Sequence, residues 1–526
     1  MSVPLFAIVG AWWSDGEAIG HLVSTILPIY ALNTLALMIM TGAIAGVIGV
    51  GVAWLVASSE FQGRRFWSWL LVAPIAAPAY IIAYVYTDLL EFSGPVQSWL
   101  RASFEWTAGE YWFPEARSLP GAALMMGLVL YPYVYLMARA SFAAQSQSQF
   151  LAARTLGASP SAAFFRIVLP SARPAIAGGL ALVLMETLAD FGVADYFAIP
   201  TFSTGIFRTW HGLGDRQTAM QFASIMLIFV IVLVVAETAS RRGRVASNDR
   251  LSFGPAPFRL SRTASLFANL ACAIPVILGF ALPAAILTGK AFAVGDPQPV
   301  SEILNYVGNS VLAAGVTAVA ASVIALLLVY AHRQSPTNSI GHRATRFGIR
   351  VSTLGYALPG ALLAIGLLGP LGGVDRTLTR FARDTLGWDG GLLLSGSVVI
   401  LAYALTIRFL TVSYNSLSGG MAKISDNLDA AARTLGAGPT RLLHRIHTPL
   451  LAPQLAVGAS LVFIDVIREL PATLILRPFN FETLATRVYR LASDERLNEA
   501  STASLIIIIL GMASVGLVNR AQNVRK

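Results

Sequence analysis

The sequence predicts an all-α polytopic membrane protein with about eleven or twelve transmembrane helices, arranged as two repeated modules. Three observations support this prediction: the composition, the length of the apolar runs and an internal repeat. Hydrophobic residues make up 56% of the 526 residues and charged residues only 12%, whereas a soluble domain carries about a quarter charged residues. Because so little charge cannot cover a surface that faces water, we expect lipid to surround most of the chain.

The apolar runs have the length that a membrane requires. A transmembrane helix needs about 20 mostly apolar residues, and five such runs precede residue 240 while six follow residue 266. The predicted spans are residues 31–57, 68–90, 119–140, 174–196, 219–239, 267–289, 305–331, 351–369, 392–413, 454–476 and 502–519. A shorter apolar run, Val3–Trp13, is either a truncated twelfth span or an interfacial helix.

The basic residues indicate the orientation of the chain. If the segment after the first span is cytoplasmic, the loops on that side hold 22 lysine and arginine residues and the opposite loops hold 12. Cytoplasmic loops carry the excess of basic residues in membrane proteins, so this orientation is favoured. Six arginines lie in segment 241–266. We interpret it as a cytoplasmic linker between a first module, residues 1–240, and a second module, residues 267–526.

Several classes of function are disfavoured by the residues. The net charge of +10 is scattered between apolar runs, without the aromatic-interleaved basic stripe of a nucleic-acid-binding protein. The single cysteine, Cys272, excludes a disulfide framework and a cysteine-based metal cluster. No GxxxxGK[ST] phosphate loop and no nucleophile–base pair is present. We therefore expect a chain that is not an enzyme, binds no cofactor and holds no fixed metal.

The two halves repeat each other in sequence. Residues 152–179 (AARTLGASPSAAFFRIVLPSARPAIAGG) align without a gap with residues 431–458 (AARTLGAGPTRLLHRIHTPLLAPQLAVG), and 14 of the 28 positions are identical. A second similarity pairs Asn33-Thr34 with Asn309-Ser310, each at the start of a long span. Two related bundles can enclose a pathway and move against each other, so such a duplication is typical of transporters.

The long matches lie in predicted cytoplasmic loops and predict a helix–turn–helix. Gly157 and Gly436 are expected to end or bend a first short helix, and Pro160 and Pro439 to begin a second one. The prolines at positions 170 and 449 are expected to stop that second helix before the next span. His444 and His447 of the second loop are expected to lie at the surface.

At these loops the chain resembles the permeases of binding-protein-dependent ABC importers. Their EAA motif, EAA-x3-G-x9-I-x-L-P, is matched from Ala152 to Pro170 and from Ala431 to Pro449, although Leu151 and Ala430 replace the glutamate and Thr448 replaces the leucine of the second copy. In that family this loop docks in a cleft of the ATPase subunit. The residues expected to couple to the ATPase are Ala152, Ala153, Arg154, Gly157, Pro160, Arg166, Pro170, Ala431, Ala432, Arg433, Gly436, Pro439, Arg445 and Pro449.

The resemblance implies a multi-pass permease subunit in the bacterial inner membrane. Its expected partners are membrane lipid, a dimer of ABC ATPase subunits that uses ATP and Mg, and a periplasmic substrate-binding protein. The fused modules, together with Ala73–Tyr86, Met185–Ile206 and Glu469–Glu495, are similar to the ferric-iron type. Relatives that move polyamines, thiamine, aminoethylphosphonate or sulfate share the module. A secondary transporter driven by an ion gradient is the competing class, but it has no need of paired coupling loops.

Two acidic pairs lie within predicted spans at the same place in each module. Glu186 and Asp190 lie four positions apart, and Asp465 and Glu469 are their counterparts at the offset that aligns the two loops. Acidic residues in a membrane usually face a cavity, and carboxylate oxygens suit hard cations. The four carboxylates are therefore candidates for a substrate pathway. Pairing with Arg468 and contact with the binding protein are the alternatives.

Two further groups of residues, prolines and tyrosines, are candidates for interrupting helices or for lining a substrate route. Pro74, Pro78 and Pro132 in the first module, and Pro359-Gly360 in the second, are expected to interrupt helices, as at the pathways of many transporters. The tyrosines at positions 80, 84 and 86 either line a route for iron or form an aromatic belt at the membrane surface.

Overall fold

The computed structural model describes residues 2–13, 25–107, 109–144, 155–157, 159–241, 258–335, 348–349, 355–387, 392 and 394–523. The helices of the first half are α1 (Ser2–Gly10), α2 (Leu27–Ser58), α3 (Arg64–Leu70), α4 (Ala79–Leu90), α5 (Pro95–Phe104), α6 (Leu119–Ala144), α7 (Pro160–Ala163), α8 (Leu169–Ala189), α9 (Gly192–Tyr196), α10 (Phe202–Phe207) and α11 (Arg216–Arg241).

The second half repeats this order after one additional long helix. Its helices are α12 (Arg262–Val276), α13 (Leu282–Ala293), α14 (Val300–Gln334), α15 (Gly360–Leu386), α16 (Val398–Met421), α17 (Asp426–Thr434), α18 (Pro439–Leu442), α19 (Thr448–Ile467), α20 (Pro471–Leu476), α21 (Leu484–Ser493) and α22 (Leu497–Asn523). Single π-helical turns make α7–α8, α12–α13 and α18–α19 continuous, and 3-10 turns precede α4 and α15.

The described helices confirm the all-α polytopic prediction. Ten of them are long and apolar enough to cross a membrane, and one bent pair, Arg64–Ala76 with Ala79–Phe104, makes an eleventh candidate. Within the described residues the strands are limited to β1 (Ser59–Glu60) and β2 (Phe258–Arg259), which pair in parallel. The short pair joins the end of α2 to the chain just before α12.

Four predicted spans differ in shape from the prediction. Span 68–90 is bent by 88° next to Pro78, because proline has no N–H to continue the helix. Spans 174–196 and 454–476 each end early, at Ala189 and Ile467, and resume as the short helices α9 and α20. Span 351–369 is shifted, since α15 begins only at Gly360 and continues to Leu386.

The repeat is reproduced in the packing of the helices. A side chain on Gly179 would lie 2.8 Å from Val134 Cα on α6, and one on Gly458 would lie 2.9 Å from Ser413 Oγ on α16. Val134 and Ser413 are themselves counterparts at the offset of the repeat, as the two glycines are. The glycines therefore allow α8 and α19 to approach equivalent helices equally closely.

The repeated Asn-Thr and Asn-Ser pairs anchor equivalent short helices. Asn33 Nδ2 donates to the Pro200 carbonyl (3.1 Å), and Thr34 Oγ1 accepts from Phe202 N at the start of α10 (3.2 Å). In the second half Asn309 Nδ2 donates to the Glu482 carbonyl (2.9 Å) and Ser310 Oγ accepts from Leu484 N (2.8 Å). Both α10 and α21 also begin with a capping box.

The two halves interlock. Helix α1 packs on α15 of the second half, and α13 packs on α4 of the first half. Helix α1 has nine residues, fewer than half of the approximately 20 that a span needs, and Trp12 Nε1 ties the turn after it to Ser224 Oγ at 2.6 Å. Val3–Trp13 therefore forms a short helix and turn held against α11 and α15.

The contact between α2 and α6 depends on the absence of a side chain at residue 49. A Cβ there would lie 2.7 Å from Val134 Cβ and 2.9 Å from the Tyr131 carbonyl oxygen, whereas a Cβ at Gly51 would meet nothing within 4 Å. We expect Gly49→Ala to lower the free energy of unfolding by about 1–3 kcal/mol, because overpacking forces the helices apart. Gly51→Ala is the matched control, with the same gain in helix propensity. The measurement is the thermal unfolding midpoint in detergent, and equal midpoints for the two variants would contradict this account.

Candidate functional site

The second predicted coupling loop is a helix–turn–helix, as predicted. Ser425 caps α17 through a hydrogen bond from Asn427 N (3.3 Å). The helix ends at Thr434, and Gly436 follows with φ of 78°, a left-handed conformation that favours glycine. Pro439 then begins α18. The backbone therefore reverses at the glycine and restarts at the proline.

Asp429 holds this loop to the rest of the second half. Its Oδ2 lies 2.7 Å from Arg333 Nε at the end of α14, and its Oδ1 lies 3.1 Å from His447 Nε2. Arg333 also donates to the carbonyl oxygens of Met421 and Ile424 (3.2 and 3.0 Å). His447 is fully buried, so its predicted surface position is wrong, whereas His444 is exposed.

The first loop is described only in part. The predicted residues Ala152, Ala153 and Arg154 lie outside the described residues. Gly157 has φ of 84°, and Pro160 begins α7, which agrees with the second loop. Arg166 is exposed on the π turn that follows.

The helix after each loop is longer than predicted. The prolines at 170 and 449 do not stop it, because each lies in the first turn after a π-helical turn and the helix continues to Ala189 or Ile467. A π turn changes the local hydrogen-bond pattern, so the missing proline N–H is accommodated there. Each loop is therefore joined by one helical rod to the acidic end of the same span.

Two exposed leucines mark the tips of the loops, and the sequence analysis did not select them. Leu156 is 88% exposed and Leu435 is 85% exposed, and they occupy equivalent positions in the aligned loops. Both directly precede a left-handed glycine. Of the other residues selected in the second loop, Ala432 is buried, whereas Ala431, Arg433, Pro439, Arg445 and Pro449 are exposed.

A cavity of about 90 Å³ lies between the halves, and all four predicted carboxylates line it. Two arginines and one tyrosine line it as well, from predicted spans in both halves. The polar and charged lining residues are Tyr80, Glu186, Asp190, Arg408, Asp465, Arg468 and Glu469. The expected convergence of the acidic pairs is therefore present in the structure.

Two of the carboxylates also cap the broken spans. Asp190 Oδ1 accepts from Val193 N (2.9 Å) and Ala194 N (3.3 Å) at the start of α9. Its counterpart Glu469 accepts from Ala472 N (2.9 Å) and Thr473 N (3.0 Å) at the start of α20. They do not lie within a continuous helix, as the spacing of four suggested, because the chain leaves the helix to form these caps.

Among the described residues, the two arginines of the cavity form ion pairs with the second-half carboxylates. Arg468 Nη2 lies 2.6 Å from Asp465 Oδ1, which confirms one of the pairings considered from the sequence. Glu469 pairs instead with Arg408, whose Nη1 lies 2.9 Å from Glu469 Oε1. Gly360 lies directly against this pair, since a side chain there would collide with both charged groups. Arg408 could have been selected from the sequence, because a charged residue within a predicted span is rare and usually functional.

The remaining contacts of the cavity join the halves. Arg468 donates to the Ile75 carbonyl and to Tyr133 Oη, each at 2.8 Å. Tyr356 Oη donates to Glu186 Oε1 at 2.9 Å. On the side predicted to be extracytoplasmic, Tyr489 Oη donates to Asp195 Oδ2 at 2.7 Å. Charged and polar contacts between the modules thus lie in and beside the cavity.

The tyrosines selected from the sequence have different surroundings. Tyr80 lines the cavity, and the Tyr84 ring packs between Tyr80 and Tyr196 at centroid distances of 5.8 and 4.4 Å. Tyr86 donates to the Leu278 carbonyl at 2.6 Å. Among the described residues, no group of three His, Cys, Asp and Glu side chains is placed to hold a metal ion.

Comparison with known proteins shows which family carries this arrangement. Residues 45–238 match the family model of the binding-protein-dependent transport system inner membrane component. The Fe(3+)-transport system permease protein FbpB 2 of Haemophilus influenzae is 24% identical over 502 residues, which cover 93% of this chain and 89% of that protein. The chain is therefore similar to permeases of this family, over residues 45–238 by the family model and over nearly its whole length by this relative. Its described helices fit a multi-pass permease subunit of an importer in the inner membrane.

Other permeases are similar over different lengths. The ferric transport system permease protein FbpB of Actinobacillus pleuropneumoniae is 20% identical over 92% of this chain and 69% of its own length. The molybdenum transport system permease protein ModB of Haemophilus influenzae is 27% identical over 37% of this chain and 85% of its own length. The latter match is about one module long, which agrees with a permease of two fused modules.

The Asp429 network of this permease leads to a testable prediction. We expect Asp429→Asn to destabilise α17 by about 3 kcal/mol, because it leaves Arg333, whose side chain is 12% exposed, without its carboxylate partner at 2.7 Å. Asp426→Asn is the matched control, since Asp426 also pairs with Arg333, at 3.0 Å, but its side chain is 97% exposed. The measurement is amide hydrogen exchange of residues 426–434. Equal protection in the two variants would show that Asp429 does not hold the loop.

Proposed function

We propose that this permease imports ferric iron and that the acidic cavity between its halves is part of the iron pathway. The observation that carries the proposal is the cavity itself, which is lined by four carboxylates, two from each half. Ferric ion is a hard cation, and carboxylate oxygens are the protein ligands that suit such ions. Two relatives that match more than nine tenths of the chain are described as permeases for Fe(3+) or ferric transport.

The size of the cavity favours an ion over an organic substrate. About 90 Å³ of the cavity is open to the centre of a water molecule, and one water molecule needs about 10–15 Å³ of such space, so the cavity has room for several water molecules. A cation with a few remaining water ligands fits such a space. Pockets for organic ligands of drug size enclose about 300–1,000 Å³, so thiamine is a less suitable substrate.

The charge of the cavity favours a cation over an anion. Four carboxylates and two guanidinium groups leave a formal charge of −2 on the lining. An anion such as sulfate would be repelled by this charge, because Arg408 and Arg468 are already paired with Glu469 and Asp465. We therefore propose Glu186, Asp190, Asp465 and Glu469 as the groups of the pathway.

We further propose that two ATPase subunits dock on the two cytoplasmic loops. The support is the matched pair of exposed leucines, Leu156 and Leu435, beside exposed basic residues. A single exposed leucine is ordinary on a protein surface, but the same exposed leucine before a left-handed glycine at equivalent positions of both loops supports a shared docking role. In this proposal residues 1–240 and 267–526 are the two modules, residues 241–266 link them, and ATP and Mg bind to the partner ATPase.

A periplasmic binding protein would deliver the iron on the opposite side. The segments 197–218 and 477–501 are repeat-related and carry the anchored helices α10 and α21. A secondary transporter remains the second class of function, since buried carboxylates also suit proton or sodium coupling. The two classes differ in whether transport requires ATP hydrolysis by a subunit bound to the loops.

The docking proposal predicts the effect of arginine at the loop glycines. We expect Gly157→Arg with Gly436→Arg to abolish ATPase association and uptake while the chain still inserts. A side chain at either site meets no atom of this chain within 4 Å, so the added bulk projects toward the partner. Gly387→Arg is the control, because Gly387 shares the left-handed φ (65°) and the open space but lies at the end of α15. Normal pull-down of the ATPase by the double variant would refute the docking proposal.

The substrate proposal predicts ferric uptake that depends on ATP. Membrane vesicles that contain the permease, its ATPase and an iron-loaded binding protein should accumulate radiolabelled ferric iron only with ATP. A pH gradient or a sodium gradient should not drive iron uptake when ATP is absent. Uptake of a polyamine in preference to iron, or uptake driven by the gradient alone, would overturn the assignment.

A further inference from the structure

The two halves contribute unequally to the charge of the cavity, although their backbones repeat. Both arginines of the lining, Arg408 and Arg468, come from the second half. At the offset of the repeat, their counterparts in the first half are Val129 and Ala189, which carry no charge. The first half therefore contributes two carboxylates to the lining and no cation.

The carboxylates of the second half are each paired with an arginine. Glu469 accepts four hydrogen bonds, from Arg408 Nη1 (2.9 Å), Ala472 N (2.9 Å), Thr473 N (3.0 Å) and Thr473 Oγ1 (3.0 Å). Four is about the full acceptor capacity of a carboxylate. Asp465 is neutralised by Arg468 at 2.6 Å. A cation that bound either group would have to displace a buried arginine, which would then lack its partner.

The carboxylates of the first half each keep one oxygen available. Asp190 uses Oδ1 for both backbone hydrogen bonds, and Glu186 uses Oε1 for the bond from Tyr356. Among the described residues, Asp190 Oδ2 and Glu186 Oε2 accept no hydrogen bond and form no ion pair. The formal charge of −2 on the cavity is thus concentrated at these two residues.

Tyr80 supplies an independent indication of a ligand at the same place. Its side chain lines the cavity and only 4% of the residue is exposed, yet its hydroxyl oxygen has no hydrogen-bond partner among the described residues. A buried hydroxyl without a partner costs about 1–3 kcal/mol, so a bound ligand that contacts it would recover that free energy.

The position of Tyr80 is set by the helix that Asp190 caps. A side chain at Gly192, in the first turn of α9, would lie 2.7 Å from Tyr80 Cβ. Glycine at that position lets the tyrosine lie directly beside the capped turn. Tyr80 and Asp190 both line the cavity.

We propose that the cavity has a one-sided cation site formed by Glu186, Asp190 and Tyr80 of the first half. Asp465 and Glu469 act as structural partners of the arginines. The inference rests on the proposed function, and it assigns binding of the cation to one half of a duplicated pathway. A trivalent ion would bind the free carboxylate oxygens and the phenolate oxygen of Tyr80, and the phenol proton would be released to solvent.

The first experiment compares carboxylates at equivalent positions of the two halves. Iron uptake into vesicles that contain the complete importer is normalised to inserted permease for Glu186→Gln, Asp190→Asn and Asp465→Asn. We expect the first two to reduce specific uptake at least tenfold with normal amounts of protein. Asp465→Asn should lower the amount of folded permease, because Arg468 loses its partner, and its specific uptake should fall much less than that of Glu186→Gln. Equal losses of specific uptake at Glu186 and Asp465 would overturn the one-sided site.

The second experiment tests Tyr80 by a spectroscopic signature. A ferric ion bound to phenolate has a visible charge-transfer band, which we expect when the purified full-length permease is titrated with ferric citrate. Tyr80→Phe should abolish the band. Tyr84→Phe is the matched control, because Tyr84 is an adjacent buried tyrosine whose hydroxyl also has no partner among the described residues, but it does not line the cavity.

The outcomes separate the inference from the function on which it rests. A band that persists in Tyr80→Phe, or no band in the wild-type permease, would remove Tyr80 from the site. If the wild-type importer takes up iron and the first-half variants take it up equally well, the one-sided site is wrong and the proposed function stands. If the wild-type importer takes up no iron, the proposed function itself is wrong.

Discussion

The need to satisfy backbone groups where membrane helices break is the constraint on which the site depends. A helix that ends within a membrane leaves N–H groups without partners, and lipid offers none. In this permease the breaks before α9 and α20 are capped by Asp190 and Glu469. The caps place carboxylates in the cavity between the halves. Burial of Glu469 in turn favours a cationic partner, Arg408, and Gly360 leaves room for that pair.

The duplication preserves the contacts that shape the backbone more closely than the charged side chains of the cavity. The asparagine anchors, the capping boxes and the glycine contacts between helices recur in both halves. These features depend on backbone geometry, so both modules need them to fold in the same way. The charges differ, since the arginines of the second half are replaced by Val129 and Ala189. A fused chain permits this difference, because each module can change without altering the other.

The predicted docking loops and the cavity lie at the two ends of the same helices. From Pro160 the helix runs through a π turn to Ala189, next to Asp190, and from Pro439 it runs to Ile467, next to Arg468 and Glu469. With a rise of about 1.5 Å per residue, such a rod is about 45 Å long. Under the proposed function, ATPase movement at the loops would therefore reach the cavity through a single element on each side. The Asp429 network would keep the second loop aligned with its rod.

The sequence by itself determined the membrane class, the number of spans, the duplication and the helix–Gly–Pro–helix form of the loops. Those properties follow from local signals, namely apolar length, positive-inside charge and residues with special backbone preferences. It also identified the four carboxylates, because acidic residues are rare in apolar runs and these recur at one offset. Only the tertiary structure decided which partner each carboxylate has. Arg408 and Glu469 are 61 residues apart in sequence and Tyr356 and Glu186 are 170 apart, and no local signal specifies contacts at such separations. For the same reason the unequal charge of the two halves emerges only when the helices are packed together.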